Sequence, residues 1–210
     1  MIVKKWMTRE VITVSPEEAL EHVRQIFKKH KFRRVPVLDN NHLVGIISES
    51  DLRSYFLRDN GTAAEQKNLK LKAGDIMTGN VITISMYDTI EKAALLMQEN
   101  KIGGLPVIDA GHLVGIITEH DVFDALIEVT GAKWGVPRLT LVIDDRPGSV
   151  KEVADIIRKY PAKILSFLIT KYQMPTEKRE LIMRVDSEKL PEIIRELEQH
   201  YGEVIVHQSS

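Results

Sequence analysis

Met7-Thr-Arg-Glu-Val-Ile-Thr-Val-Ser15 returns as Met77-Thr-Gly-Asn-Val-Ile-Thr-Ile-Ser85, and His42-Leu-Val-Gly-Ile-Ile-Ser-Glu-Ser-Asp51 returns as His112-Leu-Val-Gly-Ile-Ile-Thr-Glu-His-Asp121. Both pairs are offset by the same step, 77 − 7 = 70, and no gap opens between them. Over positions 6 to 56, 19 of 51 residues are identical to those 70 places on, which makes an internal duplication the first fact about this chain.

Each copy carries the same local code. A short β-branched run (11–14; 81–84) precedes a helix start, at Ser15-Pro16-Glu17-Glu18 with Ser15 as N-cap in the first copy and at Asp88 or Thr89 in the second. Leu20, Val23, Ile26 and Phe27, and then Ile90, Ala93, Ala94 and Met97, give each helix one apolar stripe. Two strands follow, 35–38 and 43–48, with a tight turn at Asp39-Asn40-Asn41 that becomes Asp109-Ala110-Gly111 in the other copy. A further helix opens near Asp51 and Asp121. Two such β-α-β-β-α units pack as a pseudo-twofold pair and leave a cleft between them.

Composition limits what this fold is for. The 210 residues suit one large or two modest domains, and 43% hydrophobic with 28% charged residues is globular usage. With 29 basic and 30 acidic residues the net charge of −1 supplies no global field for nucleic acid or an anionic membrane. The chain has no cysteine, hence no disulfide, thiolate zinc site or Cys nucleophile. No signal-like or membrane-spanning apolar run occurs, so a cytoplasmic location is expected.

After Gly131-Ala-Lys-Trp-Gly135-Val-Pro137 the pattern changes. Strand 138–144, turn 145–148, helix 149–160, strands 164–172 and 180–185, helix 189–201 and strand 203–207 predict β-α-β-β-α-β, a ferredoxin-like order. The helix 149–160 places Val150, Val153, Ile156 and Ile157 on one stripe.

The Val-Pro-Val core, the Leu-Val-Gly-Ile-Ile strand and the Ser/Thr-x-x-Asp end occur in order twice, and in this they resemble the cystathionine-β-synthase (CBS) domain. Together residues 1 to about 128 resemble a tandem CBS pair, or Bateman module. Residues 137–210 resemble an ACT domain through Asp144, Asp145, Arg146, Pro147 and Gly148. The order CBS, CBS, ACT is similar to the bacterial acetoin-utilisation B-type family. The fold class expected is thus α/β (α+β): CBS repeats at 1–60 and 73–130, linkers at 61–72 and 131–136, and an ACT domain at 137–210.

The resemblance implies a non-enzymatic metabolite sensor. It binds an adenine nucleotide (AMP, ADP, ATP) or S-adenosylmethionine as a regulatory ligand, with no catalytic cofactor or metal, and regulates a partner protein in carbon or amino-acid metabolism, with acetoin utilisation as one setting. A homodimer and an amino acid at Asp144–Gly148 are further expectations. Carried over residue by residue, one cleft takes Ser48 and Asp51 with Thr83, Ser85, Gly103 and Gly104, and the other takes Thr118 and Asp121 with Thr13, Ser15, Arg33 and Arg34. Val35-Pro36 and Leu105-Pro106 line the purine slots.

The residues themselves allow two readings of these positions. An Asp at a helix start accepts hydrogen bonds from vicinal ribose hydroxyls, and the same Ser-x-x-Asp simply caps a helix. Gly103-Gly104 permits close backbone approach to a ligand or a flexible helix exit. At 145–148 the loop either receives a carboxylate or is a plain turn. Between His22 and Arg34 the first repeat holds six basic residues and no acid, so Arg33 or Arg34 is expected to hold phosphate. Lys28 and Lys29 read as a solvated face, and His42 and His112 as packing or exposed residues. Two other function classes stand as alternatives: a nucleic-acid-binding regulator using the 22–34 face, and an accessory subunit of a metabolic enzyme. No nucleophile–base order or dinucleotide glycine pattern supports catalysis by this chain.

Overall fold

In the computed structural model, which describes residues 1–57, 71–171 and 173–208, the first repeat runs α1 (Leu20–His30), β1 (Arg34–Asp39), β2 (His42–Ser48) and α2 (Glu49–Leu57). A short helix α3 (Ala73–Ile76) leads into β3 (Ile84–Ser85), α4 (Ile90–Asn100), β4 (Gly104–Asp109), β5 (His112–Thr118) and α5 (Glu119–Thr130). The expected linker 61–72 lies outside the described residues but for Leu71 and Lys72.

The two antiparallel hairpins keep the same register, Pro36 opposite Ile46 and Pro106 opposite Ile116, with the same irregularity after Val37 and Val107. Their turns hold Asn40 and Asn41, or Ala110 and Gly111, at positive φ, the conformation that matches the twist of flanking strands. Alternation along the strand sends Val35 and Val37 into one core and Leu105 and Val107 into another, each fully buried. Where the hairpins meet, the rings of His42 and His112 stack with centroids 6.2 Å apart.

The extended run expected at 11–14 is reduced to a single parallel bridge, Val14 to Val37, while β3 pairs with β4 over two residues. Ser15 does not cap α1. The chain turns at Ser15–Glu18, Ala19 then bridges Lys72 antiparallel, and this pairing holds residue 19 extended, so the helix begins at Leu20. In the second repeat Thr89 does cap α4, accepting from Lys92 N at 3.2 Å.

A segment exchange accounts for those bridges. Ile2 pairs with Thr89 and Thr8 with Ile116, so Val3 and Met7 are buried in the second repeat's core. Residues 71–78 do the same for the first: Lys72 pairs with Ala19 and Thr78 with Ile46, and Ala73 and Ile76 join its core. Each repeat is completed by the stretch that precedes the other in sequence.

The chain divides into Met1–Ala125 and Leu126–Ser210. The second unit contains β6 (Arg138–Asp144), α6 (Ser149–Ile157), β7 (Lys163–Thr170), β8 (Lys178–Asp186), α7 (Leu190–Tyr201) and β9 (Val204–His207). They form one antiparallel sheet in the order β7-β8-β6-β9, the ferredoxin-like arrangement. Val153, Ile156 and Ile157 of α6 and Ile193 and Leu197 of α7 cover one face of it. Val150 departs from the expected stripe and is 39% exposed, because it lies in the first turn, off the sheet. The stretch expected as the linker 131–136 is held at its ends by Arg184 of β8, which donates to the carbonyls of Thr130 and Val136. Among the described residues no helix is long and apolar enough to cross a membrane.

Candidate functional site

Each repeat ends its hairpin with an N-cap that serves two purposes. Ser48 Oγ accepts from the backbone N–H of Asp51 at 3.2 Å, and Asp51 Oδ2 accepts from Ser48 N at 2.8 Å and from its hydroxyl at 2.6 Å. This is a capping box: Ser48-x-x-Asp51 caps its helix. Asp121 Oδ2 likewise accepts from Thr118 N and Oγ1, both at 2.7 Å. In both repeats these bonds converge on a single carboxylate oxygen, Oδ2.

Two clefts in the N-terminal unit start from these caps. One, of about 310 Å³, joins Ser48 and Asp51 to Thr78, Asn80, Val81 and Ile82, with Ile46, Ile102, Gly104 and Pro106 as its wall. The other, of about 660 Å³, joins Thr118 to Thr8, Val11 and Ile12, with Ile116, Phe123 and Gly103 around it. Each cleft therefore mixes residues of both copies, as a pseudo-twofold pair requires.

Several expected residues stand elsewhere. Thr13 and Ser15, and Thr83 and Ser85, do not line the clefts; the extended residues 8–12 and 78–82 cross them instead. The chain has passed the mouth by residue 13 or 83, since Val14 and Ile84 turn down into the cores. Ser85 serves the entry to α4, its N–H donating to Asp88. Val35 and Leu105 are fully buried in the cores and present nothing to a ligand, as strand alternation dictates. Pro36 and Pro106 are both buried, yet Pro106 lines the smaller cleft while Pro36 lines neither, and Ile46, the strand partner of Pro36, stands in the same wall as Pro106. Asp121 sits at the cap behind Thr118 rather than on the wall of the larger cleft.

Gly103 and Gly104 part company. Gly103 lines the larger cleft with Arg33 and Arg34, and Gly104 the smaller one. Arg34 lines both. Its half-buried guanidinium lies over the glycine pair: a Cβ on Gly103 would stand 2.7 Å from Nη2, and one on Gly104 3.4 Å from Nη1. Burial pulls the Arg34 pKa below the ordinary arginine value, Glu119 opposes that and Arg33 adds to it. The group stays cationic, since arginine does not deprotonate in proteins. Lys28 and Lys29 are exposed. Arg53, not singled out from sequence, lies with Arg33 and Arg34 around a third hollow; the signal was its replacement by Phe123 in the other copy.

In the second unit the charges at 144–148 already have partners. Asp144 meets Lys178 at 2.6 Å, Asp145 meets Arg179 and Lys171, and Arg146 donates twice to Glu152 at 2.8 Å. These contacts hold the Asp144 and Asp145 carboxyls below the usual range, chiefly through the hydrogen bonds from Lys178 and Arg179. Pro147 sits in the turn, and Gly148, at φ 93°, precedes α6 in a conformation that favours glycine. Ser149, 2% exposed at the first turn of that helix, has no hydrogen-bond partner for its hydroxyl. No group of three His, Asp or Glu side chains poised for a metal occurs among the described residues.

Comparison with known proteins agrees with this geometry. The CBS domain model matches residues 3–58 and 73–128, more than half of the chain, and the chain belongs to the CBS-domain family. A CBS domain-containing protein of Dictyostelium discoideum is 35% identical over 135 residues, covering 61% of this chain and 93% of that one. The inosine-5'-monophosphate dehydrogenase of Korarchaeum cryptofilum is 37% identical over 121 residues, 57% of this chain but 23% of the enzyme.

Solved structures are similar over the same region. The CBS pair of protein MJ0100, in complex with 5'-methylthioadenosine and S-adenosyl-L-methionine, has a TM-score of 0.53 at 29% identity and covers 60% of this chain and 95% of its own. CBSX2 in complex with AMP has 0.54 at 30%, covering 61% and 97%. A protein of Vibrio cholerae assigned provisionally to acetoin utilization (AcuB) has 0.54 at 27%, covering 64% and 96%. Two of these structures, the MJ0100 pair and CBSX2, are thus complexes with adenine-containing ligands.

Proposed function

We propose that this chain is a non-enzymatic metabolite sensor whose CBS pair binds an adenine nucleotide or S-adenosylmethionine and regulates a partner protein. The observation that carries this reading is the pair of capped aspartates. Asp51 spends one carboxylate oxygen on its helix and keeps the other for vicinal hydroxyls, in the cleft walled by Ile46 and Pro106; Asp121 is capped in the same way behind Thr118, which lines the cleft walled by Ile12 and Ile116. Arg33 and Arg34 supply the local positive charge that a net charge of −1 denies to the chain as a whole.

Within this reading the site residues are Ser48, Asp51, Thr118 and Asp121 with Arg33, Arg34, Gly103 and Gly104. The C-terminal unit acts as an ACT-type domain that takes a small carboxylate near Gly148 and Ser149, supported by the unpartnered Ser149 hydroxyl. The protein works as a cytoplasmic homodimer, its partner belongs to carbon or amino-acid metabolism, and the likeness to the Vibrio cholerae protein favours acetoin utilisation. Thermal-shift screening of the full chain against AMP, ADP, ATP, S-adenosylmethionine and amino acids tests it, since a ligand that binds only the native form raises the melting temperature. A melting temperature unmoved by every adenine derivative overturns the sensor reading.

A further inference from the structure

The Asp51 cleft does not end at its cap. Next to it lies a polar hollow of about 560 Å³ whose wall shares Arg34, Ser48 and Ser50 with the cleft and adds Arg33, Arg53 and Ser54. Three arginines thus line one space, with Glu49 as its single acid, whose carboxylate lies 3.2 Å from the Arg53 guanidinium. Three hydroxyls join them. Ser48 and Ser50 are linked at 2.7 Å, and Ser54 donates to the Asp51 carbonyl, so the hydroxyls of half-buried Ser48 and exposed Ser50 and Ser54 are tied to the helix start.

The duplication supplies an internal control. Seventy residues on, Arg33, Arg34, Ser50, Arg53 and Ser54 become Gly103, Gly104, His120, Phe123 and Asp124. Every fixed positive charge of the hollow is gone from the second copy, an acid has entered, and Phe123 stands 59% exposed where Arg53 would be. The capping pair is kept in both copies while the cations are kept in one. Helix capping therefore does not account for the cations.

We infer that this hollow receives the outer phosphates of an adenosine di- or triphosphate whose ribose is held at Asp51, and that Arg53 sets the preference for ligands with more than one phosphate. A monophosphate reaches the shared residues Arg34, Ser48 and Ser50; a second and third phosphate reach Arg53, Arg33 and Ser54. Guanidinium forks match phosphate oxygens in pairs, so the added contacts favour longer phosphate chains. The inference rests on the adenine-ligand reading of the clefts and deepens it.

The test is calorimetric titration of AMP and ATP into the full chain and into Arg53→Phe and Arg53→Ala variants. Arg53 is exposed, so both variants keep the fold, which the melting temperature checks. The unaltered protein is expected to bind ATP at least about tenfold more tightly than AMP, and both variants to erase most of that difference with AMP affinity unchanged. Equal affinity for AMP and ATP in the unaltered chain, or equal loss of both in the variants, overturns the Arg53 assignment and leaves the cleft reading standing. No binding of either nucleotide or of S-adenosylmethionine overturns both.

Discussion

Arg34 and Gly104 hold equivalent places in the two repeats and face one another: a Cβ on Gly104 would lie 3.4 Å from Arg34 Nη1 and 3.2 Å from the Ile117 carbonyl. The pair breaks the pseudo-twofold symmetry where it matters for charge. An arginine at both positions would set two guanidinium groups in one space, whereas the glycine lets a single cation extend to both clefts. Arg34→Ala is accordingly expected to weaken ligand binding in both, by about tenfold each for a lost charge-assisted contact, with the melting temperature of the free protein little changed. Gly103→Ala reaches the same end indirectly. Its Cβ would meet Arg34 Nη2 and Glu119 Oε2, both at 2.7 Å and both the far ends of flexible side chains, so the guanidinium shifts and the fold survives. Calorimetry with paired thermal melts checks both variants.

The two capping aspartates permit capping and ligand binding to be separated. Asp51→Ala or Asp121→Ala removes the oxygen that accepts from the Ser48 or Thr118 N–H, at a cost of about 1 kcal/mol of stability each. Asn keeps an acceptor oxygen and restores the cap while losing the negative charge that makes the ribose contact strong. Asp51→Asn and Asp121→Asn are therefore expected to melt close to the unaltered protein yet bind adenine ligands more weakly. Full recovery of affinity in the Asn variants would leave these aspartates as caps alone.

The exchanged N-terminal segments carry a stability prediction. Val3 and Met7 are buried in the second repeat's core, and burying side chains of this size contributes about 1.5–3 kcal/mol each. Deleting residues 1–8 is expected to open the α4–β5 region first, seen as faster amide exchange there than in the first repeat. Gly115→Ala acts at the same seam. Its Cβ would come 2.9 Å from the Thr8 carbonyl and 2.7 Å from Met7 Sδ, and the backbone atom cannot swing aside. Gly45→Ala meets only the Met77 side chain among its nearest atoms and is expected to be the milder of the two.

The duplication made the hairpins, the helix stripes and the Ser/Thr-x-x-Asp caps legible from residues alone, because each is a local pattern within about a dozen positions. The segment exchange was not. Met7 and Met77 stand in identical motifs, and nothing in either states which hairpin it covers; that is settled by which core is left open at Gly115 or Gly45. The same blindness misplaced the cleft walls by a few residues. Thr13 and Thr83 carry attractive hydroxyls, but whether the chain crosses the cleft at residue 11 or 13 depends on where Val14 and Ile84 descend, a tertiary fact. Val35 and Leu105 were assigned to the purine slot from their neighbour proline, and strand alternation sends them the other way. Arg53 is visible in principle as a cation whose counterpart in the second copy is Phe123, once the offset of 70 is applied beyond the motif.

Acid should loosen the C-terminal unit through the loop at its first helix. Asp145 is held below the ordinary carboxylate range mainly by the Arg179 hydrogen bond, with Lys171 second, and Asp144 mainly by Lys178. Asp155 and Glu196 are lowered in the same way, by Lys151 and Lys159. Groups whose folded-state pKa is depressed contribute stability that is present above the unfolded value of about 4 and is lost as pH falls toward the folded one, because the unfolded chain takes up protons first. All four shifts have the same sign, so stability falls with pH on the acid side with no compensating gain among them. These pairs are solvent-exposed and screened by salt, which makes the effect larger at low ionic strength. Asp145→Asn isolates one of them: its melting temperature is expected to lie below that of the unaltered protein at pH 7 and to converge with it as pH drops through about 4. A gap that stays constant across that range would mean the Asp145 carboxylate contributes through packing or a neutral hydrogen bond and not through its charge.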